Sequence, residues 1–479
     1  MTKSSQTHND AIMDDLNTLA VLGGKPVRTK PFIVGPMVDV EEEALVLKAI
    51  REHNFSRYIG AYSDDIEEIL RMPSDEAGRI EAQWHFLGGP NVRQFAAKFA
   101  QKFGVRYAIP VNSATSGLSI SLAACGVGPG DEVIIPGLSY TATGSAPLLF
   151  NSVPVFVDVD PRTFCVDPDA IEAAITPRSR AIIVVHLLGN VCDMARIMNI
   201  ANKYNLVVIE DTAQAPGARW GMRYAGTIGN AGVYSFQQSK NIMTGEGGMI
   251  VTDDPSVARK CRLILNHGEA VLQDGASDSD LANIVGCNFR MPELCAALGI
   301  AQLDKLEKVN EWRNRNAKYL IDRLSSIKGL IAPRVDENIG WVCHVLSFLY
   351  SAEDMGVPRS IFIAAIRAEG IPIGTGYVRP MYENPTFLRK IAYGMHGSPW
   401  TDGGKPSSVV YSRGQCPVVE RLISNEFLWL YHIAYPSTVD DMEDIVRAFE
   451  KVVGGLDALR ANHELINVSG NTKRQQGRL

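Results

Sequence analysis

Residues 206–214 read Leu-Val-Val-Ile-Glu-Asp-Thr-Ala-Gln, four apolar residues followed by two acids. A strand without polar alternation is covered on both faces, as in the parallel sheet of an α/β protein. Similar runs stand at Val133–Ile135, Val153–Asp160 (VPVFVDVD) and Ala181–His186 (AIIVVH). Helical stretches separate them. Gly89–Gly104 puts Val92, Phe95, Ala96, Phe99 and Phe103 on one face, and Ser116–Cys125, Pro168–Ile175 and Asp193–Asn205 follow. Strands alternating with helices predict a mostly parallel sheet between helical layers.

Farther along, Pro292 to about Ile327 reads as one long helical pattern, with Leu294, Leu298, Ala301, Leu306 and Val309 recurring on one side. Beyond it the pattern becomes mixed: Trp341–Tyr350, Ser360–Gly370, Val418–Leu430 and Val439–Val453 read as a smaller α+β domain. This divides the chain into a polar arm (1–20), a large domain (21–320) with a possible insertion at 57–83, a small domain (321–460) and a frayed tail (461–479).

Composition narrows the class. The 479 residues are 46% hydrophobic and 21% charged, values of an ordinary globular chain, which excludes disordered and fibrous classes. A net charge of −6 argues against a dedicated nucleic-acid binder. The eight cysteines are scattered, with no CxxC and no zinc-like spacing, so no metal site is expected and a reducing compartment is. The N-terminus lacks a secretory pattern, and AIIVVHLL (181–188) falls far short of a membrane span. The expected location is the cytoplasm.

Ligands in such sheets bind at the carboxyl ends of the strands. Asp211 stands there, an acid at the end of an apolar strand that needs a partner if buried. Lys240 follows another apolar strand and precedes the glycine-rich turn TGEGG (244–248). An amine for a Schiff base and a carboxylate to keep a pyridine nitrogen protonated are what pyridoxal phosphate chemistry requires. Asn112–Gly117 (NSATSG) opens a helix with hydroxyls and free N–H groups suited to a phosphate dianion. Tyr140, in PGLSYTAT (136–143), would bring a ring to the ligand edge. Taken singly, each has a plainer role: Asp211 as a helix cap, Lys240 on the surface, Ser113 as a cap, Tyr140 in the core. Gly226–Gly232 (GTIGNAG) has the wrong spacing for a dinucleotide fingerprint and carries no expected function.

In order and spacing, VNSATSGL, GPGDEVIIPGLSYTATGSA, EDTAQAPGA, YSFQQSKNIMTGEGGMIVTDD and GCNFRMPELCAALGIAQLDKLE resemble the DegT/DnrJ/StrS aminotransferases. The resemblance covers about residues 20–460. It implies the aspartate-aminotransferase-like fold (fold type I), pyridoxal 5'-phosphate as cofactor, and a homodimer with shared active sites. Under it, Lys240 matches the Schiff-base lysine that also shuttles protons, and Asp211 the pyridinium partner. Gln214 matches a residue beside the ring's phenolic oxygen, and Tyr140 the stacking aromatic. Thr115 and Ser235, with the Ser113–Ala114 backbone, match phosphate ligands, and Asn288 an asparagine that reaches the neighbouring subunit's site.

The implied activity moves an amino group from glutamate or glutamine to a keto sugar, nucleotide- or phosphate-linked, or to a keto-cyclitol, in amino-sugar or antibiotic-type biosynthesis. His186, Arg379 and Tyr382 are candidate substrate contacts. Three departures stand out: Ala114 where the family usually has glycine, Gln237-Gln238-Ser239 for the commoner His-Pro-Thr, and the long 57–83 segment. Lys240 itself separates the chain from relatives that carry histidine there and dehydrate. FLWLYHIAY (427–435) is similar to the cyclitol and aromatic-precursor branch, which keeps open a dehydratase or an aminohydroxybenzoate-synthase-like enzyme. A non-catalytic regulator is a further alternative.

Overall fold

A computed structural model describes residues 18–58, 87–268, 285–394, 396–401 and 407–466. Most of the expected arm, of the 57–83 segment and of the tail therefore lies outside the described residues. Seven strands, β1 (Tyr107–Val111), β2 (Glu132–Pro136), β3 (Val153–Val157), β4 (Ser179–Val185), β5 (Val207–Asp211), β6 (Ala231–Ser235) and β7 (Gly248–Thr252), form one sheet in the order β1-β7-β6-β5-β4-β2-β3. β7 pairs antiparallel with β1 and β6, and every other pairing is parallel. The apolar runs are buried on both faces, as non-alternating strands must be.

Helices α1 (Val40–Arg51), α2 (Pro90–Phe103), α3 (Ala114–Ala124), α4 (Thr141–Leu149), α5 (Pro168–Ala173), α6 (Met194–Tyr204) and α7 (Pro255–Leu265) accompany the sheet. Local chemistry sets their ends. Asp193 caps α6 through the N–H of Arg196, and Asn205 closes it in the left-handed region at φ 54°. Val92, Phe95, Phe99 and Phe103 form the buried stripe of α2. VPVFVDVD is a strand only as far as Val157, because the Asp158 carboxylate accepts the N–H groups of Val418 and Val419 at 2.9 Å each.

The helical pattern from 292 is two helices, α8 (Glu293–Asp304) and α9 (Leu306–Leu324), not one. Lys305 interrupts it: its ammonium is drawn to Asp39 at 2.8 Å and Glu42 at 2.6 Å. Glu42 also accepts from Gln302 at 2.7 Å, tying the break to α1.

A second core gathers around β8 (Leu346–Tyr350), β9 (Phe427–Leu430), α10 (Arg359–Ala368) and α11 (Val439–Gly454). Leu19 is part of this core and Val21, Leu22, Val27 and Phe32 pack against it, although they stand at the opposite end of the chain, in the expected arm and the start of the expected large domain. The Glu369 carboxylate fastens that segment by accepting the N–H groups of Ala20 and Val27 and the Lys451 ammonium. Among the described residues no helix is long and apolar enough to cross a membrane, and no group of three or more His, Cys, Asp or Glu could hold a metal ion.

Candidate active site

Register gathers the sequence motifs at one edge of the sheet. Val185 pairs with Asp211, and Asp211 with Val233, so the carboxyl ends of β4, β5 and β6 lie side by side. Ser235 and Val111 both pair with Gly248, which brings the start of α3 to the same edge. A methyl group on Gly248 would lie 2.7 Å from the Ala114 nitrogen and from the Ser113 carbonyl carbon, so only glycine lets β7 pass under this helix start.

At that helix start the Ser113 hydroxyl caps the N–H of Ser116 at 3.2 Å. The Ser116 hydroxyl in turn donates to Asn112 Oδ1 at 2.5 Å. The N–H groups of Ala114 and Thr115 are left for a ligand, and Thr115 is exposed beside them. The alanine at 114 takes the first helical position without disturbing the cap.

Asp211 is buried. One carboxylate oxygen accepts the Ala213 N–H at 3.0 Å, and the other meets the Thr143 hydroxyl at 3.4 Å. Burial pushes its carboxyl above the usual range, while the Ala213 N–H and the charge of Lys240 pull it down. Lys240 lies in the turn between β6 and β7, its N–H bonded to Gln237 O at 2.9 Å. Gln237 holds that turn from within, its Oε1 accepting the Ser239 N–H and hydroxyl at 2.9 and 2.6 Å. This is the structural work of the unusual Gln-Gln-Ser. Burial draws the lysine amine below its ordinary value; Asp211 opposes that and Arg313 adds to it.

Gln214 Oε1 accepts the Leu188 N–H at 2.8 Å, and its amide approaches the Tyr377 hydroxyl at 3.5 Å. Burial pushes the Tyr377 phenol up to about 12. Tyr140, at the N-cap of α4, is 68% exposed, a ring at the ligand edge and not in the core. Asn288 is exposed, and its carbonyl oxygen accepts from Arg290 Nε at 2.9 Å, which leaves its amide N–H groups without a partner among the described residues.

Two expected substrate contacts do not face a ligand. His186 is fully buried with both ring nitrogens engaged, Nε2 with Glu210 at 2.9 Å and Nδ1 accepting the Cys192 N–H at 3.2 Å. Tyr382 is fully buried, and its hydroxyl donates to Glu420 at 2.5 Å. Arg379 is exposed on the same loop as Tyr377 and makes no hydrogen bond or ion pair among the described residues.

Several supporting residues were not singled out from sequence. Glu210 accepts the N–H groups of Gly226, Ile228 and Gly229 at 2.8, 2.6 and 2.6 Å besides His186. GTIGNAG is thus an anion nest whose anion is the chain's own carboxylate. Removing one partner from so enclosed an ionic cluster costs about 3–5 kcal/mol. Thr143, three residues past Tyr140, had a helical-spacing signal; Arg313, His344 and Tyr431, which surround the lysine turn, had none.

A half-buried amine and a buried carboxylate at a sheet's ligand edge, beside an open helix start, suit an anionic ligand that can condense with lysine. The model of the DegT/DnrJ/EryC1/StrS aminotransferase family matches residues 75–403, and the chain belongs to that family. An L-glutamine:2-deoxy-scyllo-inosose aminotransferase of Micromonospora echinospora is 37% identical over 459 residues, 93% of this chain and 100% of its own. An enzyme of the same name from Streptomyces lividus is 34% identical, covering 91% and 97%. Among solved structures, an aminotransferase from Psychrobacter cryohalolentis superposes with a TM-score of 0.73 at 27% identity, covering 89% of this chain and 100% of its own. The chain is an aminotransferase of α/β, fold type I architecture.

Proposed function

We propose that this chain binds pyridoxal 5'-phosphate on Lys240 and transfers the amino group of glutamine to a free keto-cyclitol. The observation that carries the reading is the half-buried Lys240 standing with the buried Asp211 carboxylate at the edge where α3 begins. The donor set fits the cofactor. Asp211 suits a protonated ring nitrogen, the Ala114 and Thr115 N–H groups with the Thr115 and Ser235 hydroxyls suit its phosphate, and the exposed Tyr140 suits its ring face.

Bound there, the cofactor supplies an aldehyde that condenses with amines and a cationic ring that draws electrons from the substrate carbon. The remaining work falls to the chain. Asp211 keeps the ring nitrogen protonated, and the Ala213 N–H and Thr143 hydroxyl hold that carboxylate in place. The Lys240 amine would hold and pass on the proton that amino transfer moves. Gln214 orients between the β4 exit and Tyr377. The unpartnered amide of Asn288 supports a homodimer in which it serves the neighbouring subunit's phosphate.

Glutamine and a free cyclitol are preferred because the relatives matched over nine-tenths of the chain are named for them. Incubated with glutamine and 2-deoxy-scyllo-inosose, the purified protein is expected to form the aminocyclitol, followed by mass spectrometry. Turnover of nucleotide-linked keto sugars with none of the cyclitol would overturn the acceptor, and a strict need for glutamate the donor.

Gly248→Ala tests the phosphate cup. The added methyl meets backbone, so crowding of about 1–3 kcal/mol is expected, tenfold to hundredfold in cofactor affinity. Unchanged affinity in a fluorescence titration would remove the cup from this helix start.

A further inference from the structure

Lys240 is held from three sides by residues distant in sequence. The Tyr431 hydroxyl, just past β9, donates to the Ser239 carbonyl at 2.9 Å. On the other side Asn241 enters a chain of amides. Asn310 Nδ2 donates to the Pro216 carbonyl at 2.9 Å. Asn310 Oδ1 then accepts Asn241 Nδ2 at 2.8 Å. Asn241 Oδ1 meets His344 Nδ1 at 3.1 Å. Because a carbonyl can only accept, the direction of every bond is fixed, and His344 carries its proton on Nδ1. Its backbone N–H donates to Leu188 O at 3.1 Å, beside the Gln214 contact.

Arg313, on α9, completes the group. It is buried, donates one N–H to the His344 carbonyl at 2.7 Å, and leaves Nε without a partner. Its guanidinium lies 5.7 Å from the Tyr431 ring centroid. Among the described residues it forms no ion pair with a carboxylate, an uncommon state for a buried arginine. The groups facing Lys240 are therefore Asp211 from β5, Arg313 from α9 and His344 ahead of β8. The Tyr431 phenol lies beside Arg313, and that of Tyr377 near Asp211. Arg313 therefore opposes the pull of Asp211 on the Lys240 amine.

We propose that Arg313 is a positioning residue for Lys240: with His344 and Asn241 it fixes the turn that carries the amine and sets a buried cation beside that turn. The unprotonated amine is the form that condenses with an aldehyde and accepts a proton. The inference rests on Lys240 being the reactive amine. The test reads that amine without substrate.

The pH dependence of Lys240 acetylation by acetic anhydride, followed by peptide mass spectrometry, would be measured on the full chain freed of cofactor. In Arg313→Met the labelling midpoint is expected to rise by about one unit, a tenfold loss of free amine on the acidic side of the midpoint. Arg313→Lys keeps the charge and should stay near the parent. If Arg313→Met does not fold, Arg313→Gln, which keeps a donor for the His344 carbonyl, carries the same expectation. In the cofactor-loaded chain the pH titration of the visible absorption should move in the same direction. A midpoint that stays or falls in a folded neutral variant, or that rises equally in Arg313→Lys, would overturn the role of Arg313. Failure of glutamine-dependent amination with these shifts intact would instead fault the functional reading.

Discussion

Replacing Lys240 with alanine is expected to lower amino transfer by about four orders of magnitude, the upper range for a positioned acid–base group. It should also abolish the visible absorption of the lysine-bound cofactor. The site has no substitute: His186 is locked by Glu210 and the Cys192 N–H, and His344 by Asn241. The fold should survive, since the turn is held by Gln237, Tyr431 and Asn241 and not by the lysine side chain. Steady-state kinetics with glutamine, an absorption spectrum and a melting curve check the three parts. Substantial turnover in this variant would show that the amine is not the reactive group.

Asp211→Asn is expected to retain cofactor but lose about 10²–10³ in kcat, the usual cost of removing one preorganised electrostatic stabiliser. A near-isosteric amide keeps the Ala213 and Thr143 contacts and removes the charge. The cofactor-free protein gives an independent readout of opposite sign. Burial raises this carboxyl in the folded chain. The folded state therefore binds the proton more tightly than the unfolded state, and stability falls as pH rises from the ordinary carboxylate range through the raised folded value. The penalty is complete above that raised value, so cofactor-free Asp211→Asn should melt higher than the parent on its alkaline side, and the difference should vanish in acid. Unchanged kinetics, or a lower melting temperature on that alkaline side, would contradict the role. A group that destabilises the empty fold is what an active site retains for function.

Legibility varied with the range of the interactions. Asp211 and Lys240 stood out because each follows an apolar strand, and the sheet forces strand ends to one edge. The cap at Ser113 was readable because capping acts over three residues. His186 and Tyr382 occupied the right segments, but sequence does not say that Glu210 and Glu420 take their polar atoms. Along α9, Asn310, Arg313 and Asn316 recur every three residues with no local sign of a role; in the fold they are buried, turned toward Asn241, His344 and the Ile433 and Ser437 carbonyls. Lys305 broke an apparently continuous helix for the same reason, since Asp39 and Glu42 lie some 260 residues upstream.

By itself the amino-acid order determined a parallel-sheet enzyme, the edge proposed for its chemistry, and the lysine and carboxylate proposed to perform it, because strand burial, caps and glycine turns are local preferences. Only the tertiary structure decided which polar side chains face a ligand and which are consumed inside, and that a lone guanidinium lies behind the reactive amine. Electrostatics and hydrogen bonding act through space between segments a hundred residues apart, and no local pattern encodes that meeting.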